Sequence, residues 1–270
     1  MTQESTAYLL AGQASELERL QLQSRVWEPA ARELLAGLPR KEGARAVDVG
    51  CGVMWWLRVL SDWVGPSGQV VGTDVDPNMI AKANELVRSD ALTNTEVVAD
   101  DLFKSQLPPA SFDLVHARFQ IAPLGRGAEQ LAAYRRLLRP GGTLVVEDPD
   151  MSSWRINPAG TAVHELIGLI ERGFEAGGGN FNAGREIPAL LRSVGLEPKV
   201  TARVVALEPG HPYLRLPLQF AAALRARLEA LTSPAHLGTL LEAAAAELSR
   251  EGTWGTTFTL IQSCAIEPRH

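Results

Sequence analysis

From Ala44 onward, short apolar runs alternate with amphipathic segments, a pattern that predicts a parallel sheet flanked by helices. The first run is Ala46-Val47-Asp48-Val49. After it, Trp56, Val59, Leu60 and Trp63 recur at i, i+3, i+4 and i+7, a stripe suited to packing one helix face on a sheet. The turn Gly65-Pro66-Ser67-Gly68 leads to a second strand, Val70-Val71-Gly72-Thr73, ending at Asp74. Asp76 then caps a helix with Pro77 in its first turn and Ile80, Ala83 and Val87 on its apolar side. Glu96-Val97-Val98-Ala99 and Phe112-Asp113-Leu114-Val115-His116-Ala117 read as strands three and four. A helix around Leu131 to Leu138 passes through Arg139-Pro140-Gly141-Gly142 into a fifth strand, Thr143-Leu144-Val145-Val146.

The two ends are less regular. Residues 14–38 predict two short helices, with Leu17, Leu20 and Trp27 near helical spacing and Pro29 opening the second. Gly37 and Pro39 stop it. Beyond Asp150, helices are expected at about 161–175 and 186–194. The β-branched stretches 200–207 and 256–265 suggest a closing antiparallel pair, with an Ala- and Leu-rich helical stretch, 213–250, between them as a lid or interface. Residues 1–40 thus form an N-terminal helical cap, and 41–270 one larger domain with lid segments at about 151–183 and 213–250.

Composition narrows the function classes. A hydrophobic share of 46% with 21% charged residues supports a well-filled core without disulfides. The net charge of -5, with no basic stripe, argues against a nucleic-acid partner. No apolar run approaches the ~18 residues of a membrane span. The polar start Met1-Thr2-Gln3-Glu4-Ser5 lacks the features of a signal peptide. Cys51 and Cys264 are the only cysteines and have no metal-ligand spacing, which suggests a reduced, cytoplasmic setting.

The candidate chemistry lies at the ends of the predicted strands. In Val47-Asp48-Val49-Gly50-Cys51-Gly52 the glycines let backbone approach a ligand where a side chain would collide. Asp48 suits an ammonium group. Asp74 can accept hydrogen bonds from both hydroxyls of a ribose, or simply cap a loop. In Asp100-Asp101-Leu102 a carboxylate beside backbone N–H groups can read an adenine edge. Ser111-Phe112-Asp113-Leu114-Val115 and Leu137-Leu138-Arg139-Pro140-Gly141-Gly142 complete an ordered series.

In this ordered series the chain resembles the class I S-adenosylmethionine (SAM)-dependent methyltransferases, in the small-molecule group that includes the ubiquinone/menaquinone-biosynthesis type. The specific motifs cover about residues 40–150. Glu16-Leu17-Glu18-Arg19-Leu20 and Gly184-Arg185-Glu186-Ile187-Pro188 are similar to segments of bacterial secondary-metabolism members. The resemblance implies a Rossmann-like seven-stranded α/β sheet of order 3-2-1-4-5-7-6 with strand 7 antiparallel, N-terminal helices, and a helical insertion before the last strand. It implies SAM as cofactor and S-adenosylhomocysteine as product. Asp48, Gly50, Cys51 and Gly52 would border the methionine part, Asp74 and Val75 the ribose, and Asp101 with Leu102 the adenine. Met79 would flank the adenine ring or serve plain helix packing.

Two departures stand out. Where the family turn usually has a third small residue, this chain has Met54 and Trp55. Trp55 either points away harmlessly, reshapes the pocket, or belongs to a site that no longer supports methylation. A histidine common after strand four is replaced by Phe119-Gln120-Ile121-Ala122-Pro123, and the Asn-Pro-Pro-Tyr type of motif used on nucleobase amines is absent.

Methyl transfer is an in-line displacement that needs a base only when the nucleophile must lose a proton. His116 is a candidate base or a packed core histidine. Arg118, on the same strand face, could hold a cofactor or substrate carboxylate or form a surface ion pair. His211, beside Tyr213, could reach a substrate or anchor a turn. Glu147, Asp148 and Asp150 could hold a metal, but no confirming ligands accompany them, and none is expected. The leading expectation is therefore methylation of a small, partly apolar metabolite at oxygen, nitrogen or carbon by a monomer or homodimer. The rivals are a cyclase-like catalyst on the same fold and a non-catalytic binding module.

Overall fold

The computed structural model describes residues 14–39, 42–53 and 55–269. Met1–Ser5, Met54, and the side chains of Glu16, Leu17 and Trp55 therefore lie outside the described part. The first element, α1 (Ala14–Ala36), is one continuous helix where the sequence predicted two. Pro29 is exposed, and the carbonyl it leaves unpaired belongs to exposed Arg25, so that group faces water. The other side of α1 buries Trp27, Ala30, Ala31 and Leu35. Together they offset an internal-proline cost of about 3 kcal/mol.

The expected alternation follows: β1 (Arg45–Val49), α2 (Trp55–Val64), β2 (Gln69–Asp74), α3 (Pro77–Ser89) and β3 (Thr95–Ala99). Next come β4 (Phe112–Arg118), the single turn α4 (Ile121–Leu124), α5 (Gly127–Leu137) and a long β5 (Leu138–Asp150). The remainder is β6 (Arg155–Asn157), α6 (Thr161–Glu175), α7 (Ile187–Ser193), β7 (Lys199–Arg203) and β8 (Ala206–Leu207). Then α8 (Leu216–Ala223), α9 (Arg225–Leu231) and α10 (Pro234–Leu248) precede β9 (Trp254–Thr256) and β10 (Thr259–Ile266).

The main sheet has seven strands in the order β3-β2-β1-β4-β5-β10-β7. Counting only its own strands along the chain, this is the expected 3-2-1-4-5-7-6, with β10 antiparallel to both neighbours. One face packs against α2 and α3, including the Trp56, Val59, Leu60 and Trp63 stripe. The other face packs against residues of α5 and α7, among them Leu131, Tyr134 and Leu191. A third apolar core joins Trp27 of α1 to α6 and α8–α10, with Trp154, Phe181 and Phe258 between them. Within it, Glu247 of α10 accepts hydrogen bonds from the first-turn N–H groups of Ala162 and Val163, tying α10 to the start of α6.

The helical stretch 213–250 is three helices after a short turn. A small second sheet, β6-β9-β8, was not expected. Among the described residues no helix is long and apolar enough to cross a membrane.

Candidate active site

The carboxyl ends of β1 and β2 form the glycine turn. Gly50 (φ 66) and Gly52 (φ 51) both take the left-handed conformation, which costs an L side chain energy, and the Cys51 N–H bonds Thr73 O at 2.8 Å. The two glycines face different surroundings. A Cβ on Gly50 would collide with the Gln120 amide, whereas one on Gly52 would meet nothing among the described residues within 4 Å. Gly52 therefore borders an open cradle. Asp74 braces the turn: Oδ2 accepts from Gly52 N at 3.0 Å and Oδ1 from Asp76 N at 2.9 Å. Burial raises its pKa, and an ionised carboxylate retains lone pairs for further donors. Val75 beside it is 65% exposed, an apolar side chain left at the rim. Met79 on α3 is half-buried. Across β3, Asp101 Oδ1 accepts from Phe103 N at 3.0 Å and caps the short turn that holds half-buried Leu102.

Below the turn lies a dry charged cluster. Asp48 of β1 stands opposite His116 of β4, and Arg118 of β4 opposite Glu147 of β5. His116 is fully buried, with Nδ1 2.7 Å from Asp48 Oδ1 and Nε2 3.1 Å from Glu147 Oε2. The Trp56 ring lies against it, centroids 3.7 Å apart. Burial pulls the His116 pKa down, but the carboxylates of Asp48 and Glu147 outweigh it and the net shift is upward. For Glu147, burial pushes up while His116 and Arg118 pull down, and the net is downward. Arg118 is half-buried, packs over the Phe119 ring at 5.6 Å, and has its pKa lowered by burial. Phe119 itself is left-handed (φ 56), and the turn it makes delivers Gln120 to Gly50, with Nε2 donating to Gly50 O at 3.3 Å.

Comparison with known proteins agrees with this architecture. Residues 46–142, which carry the glycine turn, Asp74, Asp101 and the Gly141-Gly142 turn, match a methyltransferase-domain family. The chain has the class I methyltransferase fold, and this segment carries the likeness to a methyltransferase domain. The chain is 35% identical over 124 residues to an uncharacterised 37.1 kDa transposon protein of Streptomyces fradiae, covering 46% of this chain and 35% of that protein. It is also 30% identical over 118 residues to a demethylmenaquinone methyltransferase of Listeria welshimeri, covering 43% of this chain and 50% of that one. The chain thus spans half or less of the curated relatives it matches. A crystal structure of a SAM-dependent methyltransferase from Aquifex aeolicus superposes with a TM-score of 0.55 at 24% identity. It covers 72% of this chain and 93% of that one, and it speaks to the fold alone.

The remaining candidates lie beyond that segment, and they separate. His211 Nδ1 accepts from Tyr213 N at 3.1 Å, so its basic lone pair is spent on the turn. Fully buried Tyr213 receives a hydrogen bond from Trp27 Nε1 at 3.4 Å. The three carboxylates at the end of β5 diverge. Glu147 goes to His116 and Gln262, and Asp150 to Arg185. Asp148 accepts from Ala122 N at 2.8 Å and Ile121 N at 3.4 Å. Burial raises the Asp148 pKa to about 7. Among the described residues no three His, Cys, Asp or Glu side chains gather as a metal site. Sequence reasoning named Gln120 and Asp148 but missed what they do: Gln120 supports Gly50, and Asp148 caps the turn at Ile121 and Ala122. Gln120 had a readable signal, since it follows the end of a strand next to the glycine turn; the left-handed Phe119 that aims it had none.

Proposed function

We propose that the protein transfers the methyl group of SAM to a small, partly apolar metabolite at oxygen, nitrogen or carbon, within bacterial secondary metabolism. The observation that carries this reading is the open space at Gly52, flanked by the braced Asp74 and underlain by Asp48. Without a side chain at Gly52, a ligand can approach the backbone of the turn closely there. Asp48, Gly50, Cys51 and Gly52 would hold the methionine part, Asp74 and Val75 the ribose, and Met79, Asp101 and Leu102 the adenine. Arg118 would take a carboxylate of cofactor or substrate. Bound there, SAM supplies an electrophilic methyl on a sulfonium.

Among the described residues, neither candidate histidine presents a basic nitrogen to a substrate, because both His116 nitrogens and His211 Nδ1 are occupied. The chain's contribution is then alignment and exclusion of water, with α6 and α8–α10 as the cover. This favours acceptors that already carry a nucleophilic lone pair. The same observation favours, as a second reading, a cyclase-like reaction on this fold.

Equilibrium titration with S-adenosylhomocysteine tests the first reading. Saturable binding supports it, and absence of binding at millimolar ligand overturns it. Product formation without consumption of SAM would instead support the second.

A further inference from the structure

We propose that His116 is a permanently protonated positioning residue, which fixes the Asp48 carboxylate so that its second oxygen receives the cofactor's ammonium. The proposal rests on the SAM reading above for the identity of the ligand; the protonation of His116 stands on the cluster itself. A neutral imidazole has one N–H and one lone pair, while an ionised carboxylate only accepts. Set between Asp48 Oδ1 at 2.7 Å and Glu147 Oε2 at 3.1 Å, a neutral ring would turn a lone pair toward one carboxylate. The imidazolium donates to both, in two charge-assisted bonds.

The surroundings favour that state. His116 and Glu147 are 0% exposed and Asp48 3%, so each unpaired charge would carry a large desolvation cost. The charged groups acting on the ring are Asp48 from β1 and Glu147 from β5, and the neighbouring Arg118 on β4 acts on both carboxylates. Two anions and two cations cancel. The faces contributed by α2, α1 and β10 are neutral: the Trp56 ring, the Ala30 carbonyl and Gln262. Burial keeps the nearby Cys51 thiol uncharged by raising its pKa.

Glu147 is itself held. Gln262 Nε2 donates to its Oε1 at 2.6 Å and also to Ala30 O at 3.3 Å, while Gln262 Oε1 accepts from the Thr201 hydroxyl at 3.1 Å. The clamp therefore runs from β7 and α1 through Glu147 and His116 to Asp48, with each side chain fixing the next. Asp48 Oδ1 is committed to His116, and among the described residues Oδ2 accepts no hydrogen bond. Removing the clamp frees Asp48 to rotate away from an ammonium without touching the adenosine end of the site.

Two measurements decide the matter. In wild-type protein with 15N-labelled histidine and no ligand, both His116 ring nitrogens should show the imidazolium signature unchanged from pH 6 to pH 9, assigned as the signal that survives substitution of His164, His211, His236 and His270 in turn. A neutral tautomer anywhere in that range overturns the protonated clamp, even if a His116 variant does not fold. Second, His116→Asn should weaken S-adenosylhomocysteine by about ten-fold or more. It should leave 5′-methylthioadenosine, which lacks the amino-acid end, within about two-fold. Equal weakening of both ligands, or of neither, overturns the positioning role. Wild-type protein that ignores S-adenosylhomocysteine overturns the SAM reading and the ammonium assignment together, while the nitrogen signature still decides the protonation.

Discussion

Gly52→Ala separates the backbone cost of the glycine turn from its ligand cost. At φ 51 an L side chain sits in the left-handed region, which costs about 1–2 kcal/mol. Among the described residues no neighbour lies within 4 Å of the new methyl, so none of them adds a clash. At roughly 2–4 °C per kcal/mol for a chain of this size, the melting temperature should fall by about 2–8 °C. The same methyl projects into the cradle where the methionine end of the cofactor is placed, and affinity for S-adenosylhomocysteine should drop by about ten-fold or more, a change of about 1.4 kcal/mol. Gly50→Ala provides the contrast. Its methyl must push the Gln120 amide aside and break the bond to Gly50 O, adding about 0.5–1.5 kcal/mol to the backbone cost. Gly50→Ala should therefore melt below Gly52→Ala. Thermal unfolding and calorimetric titration of both variants check the pair. If Gly52→Ala loses the expected stability yet binds within about two-fold of wild type, the open space is not the cofactor's path and the reasoning fails.

Three further outcomes follow from the structure. The Asp148 pKa of about 7 lies above the ordinary carboxyl value of about 3.9, so as pH rises the unfolded chain gives up this proton first. Its contribution to stability therefore falls from about pH 4 to pH 7 and is level above. The stability of wild type relative to Asp148→Asn, from urea denaturation, should be greater at pH 5 than at pH 8, and equal differences would refute the assignment. Exposed Ala91 follows α3 at φ 54, where glycine is usual, so Ala91→Gly should gain about 0.5–1 kcal/mol after the entropy gained by the unfolded chain; a lower melting temperature would contradict this. Glu247→Ala removes both bonds to the first turn of α6 and should cost about 1–3 kcal/mol, and unchanged thermal unfolding would show that the cap is not stabilising.

The middle of the central sheet was legible because β1, β4 and the later part of β5 are buried on both faces and appear as mostly apolar runs. β6, β8 and β9 were not, since strands of two or three residues carry no periodicity. Pro29 misled because its rule concerns local backbone, while the burial of Trp27 and Leu35 is decided by distant partners. At the candidate site, the order of Asp48, Gly50, Gly52, Asp74 and Asp101 was visible in one dimension. The occupation of both His116 nitrogens was not, because it depends on which strands are neighbours and in which register. Once β1, β4 and β5 are adjacent, Asp48, His116 and Glu147 fall on one face by alternation.

Trp27 packs 5.5 Å from Phe258, ring centre to ring centre, so the core beneath the helical cover joins an early part of the chain to one of its last. Ribosomes add about 5–20 residues per second, which separates the synthesis of these two rings by roughly ten to fifty seconds. The parallel strands β1 to β5 can pair during that interval, but Phe258, the ring that Trp27 packs on, is made only after them. Completion of this core therefore waits on a residue synthesised well after the strands beside it.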